Sequence, residues 1–221
     1  MTGAEHALRY VEDGHMVGLG TGRAATGFVR VLAGRVRTGL RVAGVPTSEA
    51  TARLARELGI PLASLAERPV VDVAVDGADE VDPHLDLVKG WGGALLREKI
   101  VAAAARRFVV VVGAEKLVPT LGSRGKLPVE VVPFGAAVCG ARLERLGVRP
   151  ALRGGNAAPF VTDSGNWIYD CAIDPIVDAT KLDASLRAIP GVVATGLFFG
   201  MADVVVIDAA GGVETRVREG R

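Results

Sequence analysis

Four short stretches of this 221-residue chain carry side chains able to do chemistry, and each is expected to follow a strand. The first, Gly18-Leu19-Gly20-Thr21-Gly22-Arg23-Ala24, ends the apolar run MVGLG (16–20) and leads into a helical segment. Glycines there let the backbone approach an anion, and a helix N-terminus presents unpaired N–H groups with partial positive charge. Thr21, Gly22, Arg23 and Ala24 are therefore candidates for holding a phosphate. The second, Asp76-Gly77-Ala78-Asp79-Glu80-Val81-Asp82, puts four carboxylates into seven residues. Such a cluster is tolerable when it is solvated, paired with cations, or used to grip the hydroxyls of a polyol. The third, Lys89-Gly90-Trp91-Gly92-Gly93, precedes the helix ALLREKIVAAAARRF, with Glu98 expected on its second turn. Facing a crevice, Glu98 would lose solvation, and its pKa would rise toward that of a useful general base. The fourth, Gly113 to Pro119, follows FVVVVG and puts Lys116 at the same edge as the other loops. Taken singly, these read also as a Gly-rich turn, an acidic turn, a solvated helix charge and a surface lysine. Their co-occurrence at four successive strand tips is the signal.

Elements that can place such tips together are visible in the pattern. Apolar runs at 16–20, 41–46, 71–76 and 108–113 alternate with helix-period segments such as Ser48 to Leu58, where Ser48 can cap the N-terminus. Strands buried on both faces read as continuous apolar runs, so a parallel sheet flanked by helices is expected, with ligands beyond the carboxyl ends of its strands. Near Pro128 the rhythm changes. VEVVPF is followed by a helix at 136–146, strands at 149–153 and 159–173, a helix at 181–188 and a strand at 191–199. That βαββαβ order predicts a smaller ferredoxin-like α+β domain. The expected α/β architecture is a Rossmann-like, mostly parallel sheet domain (1–127 plus 200–221) with the smaller domain, 128–199, inserted. The run 202–208 is read as a strand returning to the first sheet.

Composition closes off several functions. With 26 basic against 25 acidic residues, the chain has no broad positive field, so neither nucleic acid nor a membrane surface is an expected partner. No apolar stretch reaches membrane-span length and Met1 to Ala7 lacks a signal-peptide pattern, so a soluble, cytoplasmic protein is expected. Cys139 and Cys171 form no CxxC pair and read as small buried fillers. His6, His15 and His84 lack metal-ligand spacing, and DGADEVD does not match a calcium loop, so no metal is expected. Arg23 stands where a G-x-G-x-x-G fingerprint needs glycine, and RVAGVP closes on Pro46 rather than an acid, which argues against a nicotinamide cofactor. No cofactor is expected at all. Trp91 would either cover a bound ligand as its loop closes or simply be exposed; Trp167 and Tyr169 are expected in core or interface.

GLGTG, DGADEVD, KGWGGALLREKIV and EKLVPTLG, in this order, resemble the type A ribose-5-phosphate isomerase family, and the resemblance extends through PVEVVPFG and residues 174–206. It implies an aldose–ketose isomerisation of a five-carbon sugar phosphate through an enediolate. By position, Glu98 matches the family's proton acceptor. Asp76, Asp79 and Lys89 match residues associated with ring opening and hydroxyl binding, and Lys116 matches a substrate-binding lysine. The substrate-binding set is then Thr21 to Ala24, Asp76 to Asp79, Lys89 to Gly92 and Lys116. A homodimer or homotetramer is also implied. Two departures stand out. Where the family usually continues Thr-Gly-Ser-Thr, this chain has Thr21-Gly22-Arg23-Ala24 and loses two hydroxyls, and it begins late, without a lysine of the family's N-terminal helix. A guanidinium at Arg23 would offer a charge-assisted bond to phosphate in their place; turned to solvent, it would leave a high Michaelis constant. The rival reading, a non-catalytic sugar-phosphate sensor, would normally need a DNA-binding helix-turn-helix, for which the chain has no spare residues.

Overall fold

The structure is a computed structural model and describes residues 1–218. In chain order its strands are β1 (Met16–Leu19), β2 (Ala43–Pro46), β3 (Val73–Asp76), β4 (Glu80–Val81), β5 (Leu87–Val88), β6 (Phe108–Gly113), β7 (Lys126–Val131), β8 (Arg149–Leu152), β9 (Trp167–Ala172), β10 (Val192–Thr195), β11 (Leu197–Phe198), β12 (Val204–Ala209) and β13 (Gly212–Val217). The helices are α1 (Gly3–Ala7), α2 (Arg23–Arg37), α3 (Glu49–Glu57), α4 (Leu95–Ala104), α5 (Ala136–Arg145) and α6 (Ala179–Arg187). They gather into two compact units: Met1–Ala78 with Arg97–Lys116 and residues 200–218, and Asp79–Leu96 with Leu117–Phe199.

The first unit is built on a six-stranded sheet in the order β13-β12-β6-β3-β1-β2. β2, β1, β3, β6 and β12 run parallel, and β13 turns back antiparallel on β12. The expected apolar strands are all present because β1 and β3 are buried throughout and β6 over all but its last residue, as strands covered on both faces must be. α2 buries Ala25, Phe28, Val29, Leu32 and Ala33 at helical spacing, and the last four join the core around Val17, Leu19, Val75 and Val109. Ser48 caps α3, its Oγ accepting from the Thr51 N–H at 3.1 Å. β13 was not expected: its residues are exposed or half-buried and none is buried, so no apolar run announces it.

The second unit carries a four-stranded antiparallel sheet, β10-β7-β9-β8, with α5 and α6 in the expected βαββαβ order. Its core holds Leu127, Val129, Val131, Leu143, Cys171 and Leu186. The strand expected over 159–173 is shorter. Only Trp167–Ala172 is regular, and the chain before it turns, with a lone bridge between Val161 and Trp167. A second sheet, β11-β5-β4, lies in the same unit. It draws residues 79–96 and 117–127 into a unit whose expected limits were 128 and 199. The physical cause is pairing between distant two-residue strands: β5 with β11, and β4 with both β5 and, through a bridge from Val81, Leu117. Both cysteines are buried and free, and burial pushes the Cys171 thiol up to about 12. None of the described helices is long and apolar enough to cross a membrane.

Candidate functional site

Within the first unit, polar groups collect at the carboxyl ends of the parallel strands. β1 leads into Gly20, Thr21 and Gly22, and Gly22 takes a φ of +99° as the N-cap of α2. Asp76, the last residue of β3, is 3% exposed. Its Oδ1 accepts the N–H of Thr21 at 3.1 Å and of Gly77 at 2.8 Å. The approach is so close that a Cβ on Gly20 would fall 2.2 Å from the Asp76 carboxyl. Glycine at position 20 is therefore a condition of Asp76 standing where it does.

Hydroxyls brace the same loop from the end of β2. Thr21 Oγ1 lies 2.7 Å from Thr47 Oγ1 and 2.9 Å from Ser48 Oγ, and Thr51 Oγ1 donates to the Gly20 carbonyl at 2.9 Å. Thr47, Ser48 and Thr51 are all buried. Sequence reasoning recognised only the cap at Ser48; the dense hydroxyls of Pro-Thr-Ser-Glu-Ala-Thr after β2 were the available signal. Arg23 is the first residue of α2, exposed, with no hydrogen bond or ion pair among the described residues. Beside it, Ala24 approaches the second loop: a Cβ on Gly77 would meet the Ala24 Cβ at 3.4 Å.

Glu98 is 5% exposed, so the expected desolvation is present. It sits on the first turn of α4, not the second, because the helix begins at Leu95 after the positive-φ turn at Gly93. With Gly18, Gly20, Thr47, Ala74 and Asp76 it lines a small recess. Gly18 lets α4 come close here, since a Cβ would fall 2.6 Å from Val101 Cγ1. Lys116 closes the short 3-10 turn directly after β6 and is half-buried. Thr21, Gly22, Arg23, Ala24, Asp76, Gly77, Ala78, Glu98 and Lys116 all belong to this unit.

The second unit holds Asp79, Lys89, Gly90, Trp91 and Gly92. Lys89 is 2% exposed; its N–H donates to the Gly196 carbonyl at 2.8 Å, and its Nζ lies 5.7 Å from the Phe198 ring centre. Asp79 is bound to the same loop, its Oδ2 accepting the Trp91 N–H at 3.0 Å. Trp91 is neither exposed nor loose. Its Nε1 donates to the Lys126 carbonyl at 3.3 Å, with Arg124 and Lys126 over its ring at 5.3 and 4.7 Å. Gly92 is exposed at the tip.

The acidic stretch divides by role. Glu80 is fully buried and accepts the N–H groups of Gly122 and Arg124 at 2.6 and 2.7 Å. Burial pushes its carboxyl above the usual range, and those two N–H groups offset part of the rise. Asp82 accepts the N–H groups of His84 and Asp86, both at 2.9 Å, and burial raises its pKa too. These two carboxylates fold turns, which leaves Asp76 and Asp79 as candidates for binding. Tyr169 is in the core, its hydroxyl donating to the Ala136 carbonyl at 3.0 Å. Among the described residues no cluster of three or more His, Cys, Asp or Glu side chains could hold a metal ion.

A parallel α/β sheet with buried carboxylates and a glycine- and hydroxyl-lined loop beyond its strand ends defines the class: an α/β protein whose polar groups gather where such sheets bind small ligands. The chain belongs to the ribose 5-phosphate isomerase A (phosphoriboisomerase A) family, whose model matches residues 43–212. It is 58% identical over 213 residues to ribose-5-phosphate isomerase A of Roseiflexus sp., covering 95% of this chain and 91% of that protein. To that of Gloeobacter violaceus it is 54% identical over 214 residues, covering 96% and 93%. The solved structure of ribose 5-phosphate isomerase A from Methanocaldococcus jannaschii matches with a TM-score of 0.92 at 41% identity, over 98% of this chain and 96% of that one. A D-ribose-5-phosphate isomerase in complex with phospho-erythronic acid matches with a TM-score of 0.93 at 39% identity, over 98% and 96%.

Proposed function

We infer that this chain interconverts D-ribose 5-phosphate and D-ribulose 5-phosphate through an enediolate, without a cofactor. Family membership supplies the substrate. The observation that carries the chemistry is Glu98, a buried carboxylate on the first turn of α4 that shares a recess with Asp76 at the sheet's carboxyl edge. A desolvated carboxylate is a stronger base than a solvated one, and the reaction needs one base to lift a proton from C2 of the open-chain aldose and return it to C1. As that proton leaves, negative charge grows on the carbonyl oxygen, and the Lys116 ammonium is the group assigned to stabilise it. Asp76, Asp79 and Lys89 are assigned to ring opening and to the sugar hydroxyls. The backbone N–H groups of Thr21 to Ala24, with the Arg23 guanidinium, are assigned to the phosphate. Phospho-erythronic acid, held by the similar isomerase, supports this reading: its carboxylate has the planarity and charge of an enediolate, and it carries a phosphate. A homodimer or homotetramer belongs to the same reading, supported by fully exposed Phe134 and Val177, and light scattering after size exclusion tests it.

The experiment is ketose formation from ribose 5-phosphate with EDTA present, comparing the protein with Glu98→Gln. Turnover by the former and its near-abolition in the latter establish reaction and base together. Binding without turnover in the unaltered protein hands the case to a sugar-phosphate sensor. Equal rates remove Glu98 from its role.

A further inference from the structure

The Lys89–Gly93 loop is held by a residue outside every motif discussed above. Arg153 follows β8, and its side chain is 15% exposed. Its Nε donates to Asp170 Oδ2 at 2.9 Å and its Nη2 to Asp170 Oδ1 at 2.6 Å, a bidentate pair that fixes the plane of the guanidinium. The outward N–H groups reach the loop: Nη2 donates to the Gly90 carbonyl at 3.2 Å and Nη1 to the Trp91 carbonyl at 3.3 Å. Phe160 covers the guanidinium at 5.5 Å, and a Cβ on Gly93 would strike the Phe160 ring at 2.7 Å, so loop and clamp are in direct contact.

The arrangement has a specific consequence for Asp79. The carbonyl that accepts from Arg153 Nη2 and the Trp91 N–H that donates to Asp79 Oδ2 belong to one peptide group, that between Gly90 and Trp91. Arg153 pulls on the oxygen of this peptide and Asp79 on its N–H. A cation on the carbonyl polarises the amide and strengthens its N–H as a donor, so the guanidinium sets both the tilt of the peptide plane and the hold on Asp79. Lys89 immediately precedes Gly90, whose carbonyl belongs to that peptide.

We propose that Arg153, braced by Asp170, is a positioning residue for the isomerisation: it locks the Gly90–Trp91 peptide so that Asp79 and Lys89 face the sugar in one geometry. The proposal rests on the isomerase reading. Arg153 itself touches no reacting atom. Lysine cannot reproduce it, because one ammonium cannot grip Asp170 in a fork and reach two carbonyls at once.

The test measures Arg153→Lys and Arg153→Ala against the unaltered protein, with circular dichroism and melting curves confirming the fold. In folded Arg153→Lys we expect kcat to fall about 10- to 100-fold, the cost of a small misplacement of reacting groups. The inhibition constant of inorganic phosphate should stay unchanged, because Thr21 to Ala24 belong to the other unit. Millimolar methylguanidinium should restore part of kcat in Arg153→Ala and none in the unaltered protein. A loop readout independent of catalysis uses Trp167→Phe, which leaves Trp91 as the single tryptophan of the two in the chain. Adding Arg153→Lys to it should increase acrylamide quenching of Trp91. Unchanged kcat and quenching in folded Arg153→Lys, or a kcat loss matched by an equal rise in the phosphate inhibition constant, would overturn the proposal. If the unaltered protein turns over no ribose 5-phosphate, the isomerase reading fails by itself, and unchanged quenching would still overturn the clamp.

Discussion

Asp76 and Asp79 stand three residues apart in sequence, yet different physics fixes each. Close packing and hydrogen bonds to neutral groups shape the surroundings of Asp76: a glycine that leaves room, two backbone N–H donors, and hydroxyls of Thr21, Thr47, Ser48 and Thr51 behind the loop. Asp79 is held by a peptide that a guanidinium has oriented, and the loop around it carries cation–aromatic contacts and the Arg153–Asp170 pair. The first arrangement tolerates no added volume; the second tolerates no change in the shape of a charge. A carboxylate set in close packing feels added volume first, whereas one set in a charge network inherits every alteration in that network.

The comparison can be broken most severely at the base. Glu98→Gln keeps shape and removes proton transfer, so kcat for ketose formation should fall about 10²- to 10⁴-fold with melting temperature nearly unchanged. An intact rate would detach the buried carboxylate from the chemistry. Next in size is Gly20→Ala, whose added methyl meets the Asp76 carboxyl. It should destabilise the protein by about 1–3 kcal/mol in denaturant titration and lower kcat by about 10²-fold as Asp76 is displaced. A neutral outcome would mean that packing does not fix Asp76.

Arg23→Ala sharpens the contrast in a milder way. A charged hydrogen bond is worth about 1.5–3 kcal/mol, so the inhibition constant of inorganic phosphate and KM should rise roughly tenfold or more while kcat holds. Because the Arg23 guanidinium is on an exposed residue, phosphate binding should also fall with added salt. A variant with unaltered KM would leave the lost hydroxyls unreplaced.

The smallest effect concerns the carboxylates that fold turns. Because burial raises Glu80 above its ordinary value of 4.5, the folded protein binds that proton more tightly than the unfolded chain. This contribution is fully present below about pH 4.5 and is lost as pH rises through the folded value. Relative to Glu80→Gln, the unaltered protein should therefore lose melting temperature between pH 4 and neutrality, all else equal. A difference that grows in the opposite direction would mean that the two N–H groups outweigh burial.

Much of the fold was legible because one physical condition repeats along the chain. Strands covered on both faces must be continuously apolar, so β1, β3, β6 and β12 announce themselves, and the helical stripe of α2 does the same. The loops that follow them were legible too, since glycines, carboxylates and lysines at strand tips are local in sequence. β4, β5 and β11 were not, because two residues are too few to show a period and their pairing joins positions up to Phe198.

The division of the acidic stretch, with Glu80 and Asp82 folding turns, was equally out of reach, since composition alone makes the four carboxylates look equivalent. The hydroxyl brace and the Arg153 clamp depend on contacts 26 and 63 positions apart. By itself the sequence determined the layered α/β architecture, the order of its longer buried strands and helices and the residue types offered at each tip, all of which follow from local periodicity and turn chemistry. Only the tertiary structure decided which carboxylates lose water, which fold the chain and which cation orients a distant peptide, because burial and hydrogen-bond direction are set by neighbours that the chain brings in from elsewhere.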